Sequence, residues 1–228
     1  MYQLDSEIWF PDPYKYHPES EIVAVGGDLS AQRLILAYSL GIFPWFNEGD
    51  EIFWWSPDPR FVLFPEEIKV SKSMRKILRD GKFVFTENKC FEEVMRNCAS
   101  ISRRGQDGTW ISEEMIKAYT ELNQQGKAKS IEVWENGELV GGFYGVEMGH
   151  VFCGESMFSK ESNASKVAFI SLVKELKDKN YLLLDCQVYN DHLHNLGAFE
   201  IPRTEYMKIL LQGNILLRIK KMKQSEQK

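Results

Sequence analysis

Cysteine and metal-binding patterns are scarce in this chain of 228 residues. The cysteines are Cys90, Cys98, Cys153 and Cys186. They form no CxxC pair and no zinc-type spacing, so we expect neither a disulfide framework nor a metal site. The four histidines add no set with ligand spacing. The cysteines are therefore interpreted as buried thiols.

Long apolar runs are also missing. No segment reaches the roughly 18 uninterrupted apolar residues that a membrane-spanning helix needs, and MYQLDSEIWFPDPYKYHPES has no apolar signal core. With 43% apolar and 27% charged residues, the composition is that of an ordinary globular protein. We expect a cytoplasmic protein with no membrane partner.

Positive charge is not in excess, since 33 acidic residues outweigh 28 Lys and Arg. A net charge of -5 argues against general affinity for polyanions, so nucleic-acid contacts would need locally concentrated cations. One segment, SKSMRKILRDGK, meets this need. Lys72, Arg75, Lys76 and Arg79 recur at helical spacing and predict a basic stripe, although most such stripes are merely solvated.

The first 60 residues are rich in Pro, Gly and aromatic side chains. A short helix is predicted after Ser30, a good N-cap, and before Gly41. The turn PDPR then suggests a boundary. We predict a small aromatic-rich domain over 1–60, a larger domain over 61–218 and a disordered tail over 219–228.

The larger domain alternates helical and strand patterns. SIEVWENGELVGGFYGVEMGHVFCGESMF reads as a meander with a type I′ turn at Asn136-Gly137, and a helix and the strand YLLLDCQ follow. If that helix crosses over, the strands Val151–Met157 and Tyr181–Gln187 are neighbours. The fold class is mixed α+β with a mostly antiparallel sheet.

Glu155 stands in an otherwise apolar strand. Side-chain alternation predicts that it shares a face with Cys153 and Met157, where an unpaired charge is costly. One interpretation is a strand-end Glu that turns into solvent or pairs with a base. The other is a carboxylate held in a pocket to meet a cation or move a proton. By the same alternation, Asp185 and Gln187 share a face, with Cys186 opposite.

Nine motifs in register point to one family: LAYSLGIFPWF, WWSPDPR, TWI, SIEVW, LVGGFYGV, FCGESMFS, NASK, LLDCQVYNDHLHNLGA and IPR. Together they resemble the bacterial leucyl/phenylalanyl-tRNA-protein transferases, in order from the N-terminal helix to about Arg203. The resemblance implies a small N-terminal domain beside an N-acetyltransferase-like (GNAT-like) domain. It implies an aminoacyltransferase without metal or cofactor that moves Leu or Phe, with Met as a further candidate, from aminoacyl-tRNA to the N-terminal Arg or Lys of acceptor proteins. The product carries a degradation signal of the N-end rule.

The resemblance also assigns roles to residues. Asp185 and Gln187 match the catalytic pair, and Glu155 matches the active-site carboxylate, which would meet the cationic N-terminal residue of the acceptor. Trp45 and Trp110 match tryptophans that stack on adenine, with Tyr38 and Tyr119 nearby. The positions that match the pocket for the transferred side chain are Phe143, Phe152, Met157, Phe169, Leu172 and Leu184. The stripe Lys72, Arg75, Lys76 and Arg79 is the candidate tRNA contact.

The chemistry agrees with the residues. An aminoacyl ester is already activated, so no ATP is needed, and the chain has no P-loop. An acceptor α-amine with a pKa of about 8 needs positioning rather than a strong base, and Asp185 could orient the Gln187 amide for it. Two rivals remain: an acetyl-CoA-dependent N-acyltransferase, although the glycines of SRRGQDG are out of phase for CoA, and a non-catalytic receptor for basic N-terminal degrons.

Overall fold

The structure is a computed structural model and describes residues 1–16, 20–101 and 109–212. The predicted tail over 219–228 lies outside them. The strands are β1 (Tyr2–Leu4), β2 (Ile22–Gly26), β3 (Phe43–Pro44), β4 (Phe53–Trp55), β5 (Arg60–Leu63), β6 (Val84–Glu87), β7 (Ala128–Glu135), β8 (Glu138–Met148), β9 (Val151–Ser159), β10 (Leu183–Gln187) and β11 (Phe199–Ile201). The helices are α1 (Ala31–Ser39), α2 (Lys72–Asp80), α3 (Phe91–Ser100), α4 (Glu113–Gln124), α5 (Ala164–Asp178) and α6 (Asp191–His194). A further helix covers 203–212.

Two sheets organise these elements. The first has the order β1-β2-β4-β3 and the second has the order β11-β5-β10-β9-β8-β7-β6. Among the described pairings of the second sheet, β9 and β10 are parallel and the others are antiparallel. The predicted mixed α+β class is confirmed, and α5 is the crossover between the two parallel strands.

Local signals explain most element boundaries. The side chain of Ser30 accepts a hydrogen bond from the amide of Arg33, which caps α1 as predicted. Ser112 caps α4 in the same way. Asn136 and Gly137 both have positive φ, as a type I′ turn between β7 and β8 requires.

Apolar side chains cover both faces of the second sheet. One face packs on α5, with Phe169, Leu172 and Val173 fully buried between them. The other face packs on α3, α4 and the N-terminal region, where Tyr38 and Trp54 belong to the same core as Tyr119. Within the part of the chain that the structure describes, no helix has the length and apolar character needed to cross a bilayer.

Candidate active site

A cavity of about 590 Å³ lies where β9 and β10 separate. The two strands pair only over 151–153 and 183–185 within the described residues, so the chain beyond diverges and leaves a gap. The N-terminal region closes one side of this gap. The lining residues include Phe43, Pro44, Trp45, Trp110, Phe143, Glu155, Ser156, Met157, Leu184, Cys186, Gln187, Asn190 and His192. Both sheets therefore contribute to one cavity.

Glu155 occupies an irregularity in β9. Tyr144 of β8 pairs with Ser156 and the next residue, Gly145, pairs with Gly154, so Glu155 is an extra residue in the ladder. The predicted alternation is wrong here: Cys153 packs in the core beneath α3 and α4, whereas Met157 packs on the α5 side. The bulge shifts the side-chain phase by one position and turns Glu155 into the cavity.

Glu155 is held by hydrogen bonds from two sides. The Tyr38 hydroxyl donates to Glu155 Oε1 at 2.7 Å, and the Gln187 side-chain amide donates to the same oxygen at 2.8 Å. Behind Tyr38, its hydroxyl lies 2.5 Å from the Tyr119 hydroxyl. The carboxyl group is thus fixed at the cavity wall with Tyr38 and Tyr119 behind it.

Burial raises the pKa of Glu155 to about 8. This value already includes a smaller upward effect of the Asp185 charge and the downward effects of the hydrogen bonds from Tyr38 and Gln187 and of the Arg60 charge. At pH 7 the Glu155 carboxyl group is therefore protonated in most molecules, as long as the site holds only protein groups. A cation bound beside Glu155 would favour the ionised form.

Asp185 does not reach the cavity. Its carboxylate is fully buried and accepts hydrogen bonds from Arg60 Nε at 2.8 Å, Arg60 Nη2 at 2.6 Å and the Tyr206 hydroxyl at 2.9 Å. The Arg60 guanidinium lies over the rings of Phe43 and Tyr206, at 4.9 and 4.6 Å from their centroids. Although burial acts to lower the pKa of Arg60, the Asp185 charge raises it above its usual value. Arg60 and Asp185 therefore form a bidentate ion pair that is packed against aromatic rings.

The prediction that Asp185 and Gln187 share a face is wrong. The β5 ladder shifts between them, Gln187 has φ 66°, and Cys186 lines the cavity together with Gln187. The expected Asp185 contact with the Gln187 amide side chain is also replaced: Asp185 Oδ1 accepts the backbone N–H of Gln187 at 2.9 Å. Asp185 thus holds the main chain of Gln187 in its left-handed conformation, and the amide side chain is left to reach Glu155.

The aromatic residues that the resemblance assigned to adenine divide into two groups. Trp45 and Trp110 line the cavity and are half-buried, so their rings are accessible to a ligand. Tyr38 and Tyr119 are fully buried, and the described cavity wall does not include them. Their hydroxyls serve the Glu155 hydrogen-bond chain instead.

The predicted side-chain pocket is likewise divided. Phe143, Met157 and Leu184 line the cavity. The cavity lining given by the described residues does not include Phe152, Phe169 or Leu172, which are at most 1% exposed. The rings of Phe152 and Phe169 lie 6.0 and 5.6 Å from the ring of Phe143, so they pack behind that wall. An apolar sequence position does not distinguish a pocket wall from the layer that supports it.

Several residues at the site were not anticipated from the sequence. Arg60 and Tyr206 hold Asp185, and Cys186, Asn190 and His192 line the cavity. Arg60 stands inside the motif WWSPDPR, so the motif contained the signal without indicating its partner. Among the described residues, no group of three or more His, Cys, Asp and Glu side chains could hold a metal ion.

The predicted basic stripe lies on α2, outside the cavity. Lys72, Arg75, Lys76 and Arg79 are all exposed, and Met74 anchors the opposite side of the helix in the core. Ser71 caps this helix through the amide of Met74. The stripe is therefore a cationic surface that a ligand outside the cavity can contact.

Comparison with known proteins identifies the family of this chain. The profile described as leucyl/phenylalanyl-tRNA protein transferase matches residues 62–211, and that of its N-terminal domain matches 27–58. The chain belongs to the leucyl/phenylalanyl-tRNA protein transferase family. A member from Flavobacterium johnsoniae is 61% identical over 210 residues, which cover 92% of this chain and 99% of the relative. One from Nitrosospira multiformis is 57% identical and covers 83% of this chain and 81% of its own.

Solved structures are more distant. A GCN5-related N-acetyltransferase from Kribbella flavida has a TM-score of 0.37 at 8% identity and covers 78% of this chain and 63% of its own. A similarity this weak supports no conclusion about the fold or the function of the chain. The α+β class therefore rests on the strand order, and the family rests on the sequence match.

Proposed function

We propose that this protein is an aminoacyltransferase that moves Leu or Phe, with Met as a further candidate, from aminoacyl-tRNA to the N-terminal Arg or Lys of acceptor proteins. The main support for this proposal is that one cavity is lined by two tryptophans, Trp45 and Trp110, and by two polar residues, Glu155 and Gln187. The first pair suits the terminal adenosine, because aromatic rings stack on bases. The second pair suits the amine that attacks.

The reaction does not need a strong general base. The acceptor amine attacks the ester carbonyl carbon, a C–N bond forms, the bond from that carbon to the ribose oxygen breaks, and the proton that the amine loses ends on the ribose hydroxyl. An aminoacyl ester is already activated, so correct placement of the two reactants supplies most of the catalysis. The Gln187 amide nitrogen faces Glu155, which leaves the amide carbonyl oxygen to accept a hydrogen bond from the amine.

Glu155 recognises the basic acceptor residue. In the free site its carboxyl group is mostly protonated at pH 7, because burial makes an unpaired charge costly. A bound Arg or Lys side chain supplies the missing positive charge, and Glu155 ionises to pair with it. An acceptor with a neutral first side chain would give no such pair, which favours basic N-termini.

The transferred side chain fits an apolar wall. Phe143, Met157 and Leu184 line the cavity, and Phe152, Phe169 and Leu172 support the wall from behind. A polar donor side chain would lose its hydrogen bonds to water there without gaining new ones. Because the discrimination of one or two methylenes is worth only about 1 to 3 kcal/mol, Leu and Phe would be used in a graded ratio.

The tRNA would extend from the cavity toward α2. Lys72, Arg75, Lys76 and Arg79 are exposed cations in a protein of net charge -5, so they concentrate positive potential on one helix. We place backbone phosphates of the tRNA on this stripe. The division into domains at 1–60 and 61–218, a cytoplasmic location and the creation of a degradation signal belong to the same proposal.

Transfer of labelled Leu separates this proposal from its rivals. Purified protein, Leu-tRNA and a peptide that begins with Arg should give a labelled peptide without ATP or acetyl-CoA. The matched control is the same peptide with an acetylated N-terminus, which should accept nothing. A dependence on acetyl-CoA would indicate the acetyltransferase, and tight peptide binding without transfer would indicate a degron receptor.

A further inference from the structure

A second groove, of about 830 Å³, lies between the start of α2 and α5. Its lining residues include four cations, namely Lys69, Arg75, Lys166 and Lys174. Lys166 and Lys174 are eight residues apart on α5, about two helical turns, so they project along one side of it. No Asp or Glu occurs among the described residues that line the groove.

These cations lack the carboxylate partners that other cations of this protein have. Within the described residues, Lys69, Arg75, Lys166 and Lys174 make no ion pair within 4.0 Å. By contrast, Lys177 on the same helix pairs with Glu66, and Lys129 pairs with Glu175. In a chain with an acidic excess, a groove lined by cations and by no described carboxylate is a local region of positive potential, which favours an anionic ligand.

The amino end of α2 adds to the positive potential. Ser71, the N-cap of this nine-residue helix, lines the groove together with Arg75. Unpaired backbone N–H groups and the helix dipole favour an anion at such an end. The helix end and the α5 lysines therefore favour the same charge.

His192 connects this groove to the catalytic cavity. It lines both, and its Nε2 atom is buried without a hydrogen-bond partner among the described residues. Burial and the charge of Lys166, which lines the same groove, lower the pKa of His192. A ligand strand that leaves the cavity past His192 thus enters the groove without crossing the core.

We propose that this groove is a phosphate-binding subsite for the RNA strand whose 3′ end lies in the cavity. Lys166 and Lys174 contact phosphodiesters near the aminoacylated end, and Lys69 and Arg75, itself a member of the α2 stripe, join the groove to that stripe. The proposal rests on the proposed function, because it needs an RNA end in the cavity. It adds a site on α5 to the stripe on α2.

The test compares donors with and without phosphates. The double variant Lys166→Ala with Lys174→Ala should transfer Leu from leucyl-adenosine, which has no phosphate, as fast as the unsubstituted protein does. With Leu-tRNA, kcat/KM should fall about 5-fold to 25-fold at 0.1 M salt. Each lost contact removes about 0.7 from the log-log salt slope, which is a factor of about 5 at a salt concentration one decade below 1 M, and the variant loses one or two contacts. Lys89→Ala with Lys117→Ala is the matched control, because these two exposed lysines lie outside the groove and also make no ion pair within the described residues.

Binding gives an independent readout. A short single-stranded RNA that ends in CCA should bind the double variant with a salt slope about 1.4 lower, whether or not transfer is observed. An unchanged slope would overturn the subsite. An equal loss with leucyl-adenosine and Leu-tRNA, or a rise in KM for the acceptor alone, would assign the groove to folding or to the acceptor protein. If the unsubstituted protein uses neither donor, the proposed function fails, while the RNA slope still decides the groove.

Discussion

At the scale of single residues, Glu155 has the most unusual environment of the site. Its carboxyl group accepts hydrogen bonds from Tyr38 and Gln187 and lies near the buried charge of Asp185. Burial dominates, and it raises the pKa to about 8. The folded protein therefore retains a proton that the unfolded chain releases near pH 4.5.

This retained proton predicts a pH-dependent stability. Glu155 has a higher pKa in the folded protein than in the unfolded chain. Its stabilising contribution to the free energy of unfolding is therefore fully present below pH 4.5 and is lost as the pH rises to 8. Relative to Glu155→Gln, the free energy of unfolding should fall by on the order of 1 kcal/mol per pH unit between 5 and 8. Urea titrations at several pH values would measure it, with exposed Glu114→Gln as the control. Parallel curves for protein and variant would contradict the raised pKa.

At the scale of elements, the end of β10 sets the geometry of the site. Asp185 faces away from the cavity and pairs with Arg60 of β5, while the next two residues turn back toward the cavity. The ion pair and the hydrogen bond to the Gln187 amide hold this change of direction. We infer that Asp185 acts on substrate only through Gln187, as a positioning residue.

The substitution Asp185→Asn tests that role. It should lower the transfer rate by about 10² or more, with little change in leucyl-adenosine binding by the folded protein. Loss of one partner leaves the buried Arg60 charge uncompensated, which typically costs about 3 to 5 kcal/mol in stability. The exposed Asp191→Asn is the control.

The pH profile distinguishes positioning from proton transfer. A positioning residue lowers the rate by the same factor at every pH, so the shape of the profile should remain. If the loss instead changes with pH as the titration of one group would, Asp185 accepts the proton itself.

At the scale of the whole molecule, the N-terminal region and the larger sheet share one core. Tyr38 and Trp54 pack in the same apolar cluster as Tyr119, and Arg60 of the second sheet lies over Phe43 of the first. At the other end of the chain, Arg203 donates to the backbone oxygen of Ser56 at 2.6 Å. Neither sheet can separate without exposing this shared core.

The shared core predicts a single unfolding transition. Four of the six tryptophans lie in the first 60 residues, whereas α3, α4 and α5 supply most of the helical signal. Tryptophan fluorescence and far-ultraviolet circular dichroism should therefore report the same midpoint in urea. Two separated midpoints would show that the predicted domains over 1–60 and 61–218 unfold independently.

The sequence by itself determined the features that depend on neighbouring residues along the chain. The N-caps Ser30 and Ser112 and the Asn136-Gly137 turn act through their own backbone, so their signals are local. The order of helices and strands follows from these signals, and the nine motifs identified the family. Glu155 and Gln187 could be singled out for the same reason, since their residue types are conspicuous in apolar strands.

Only the tertiary structure decided which way the key side chains point. Strand alternation placed Glu155 with Met157 and Asp185 with Gln187, but irregularities against β8 and β5 changed both phases. A bulge is a property of two strands in register, and the sequence of one strand does not contain it. Burial of apolar residues is also decided in three dimensions, because a cavity wall and the layer behind it exclude water with the same side chains.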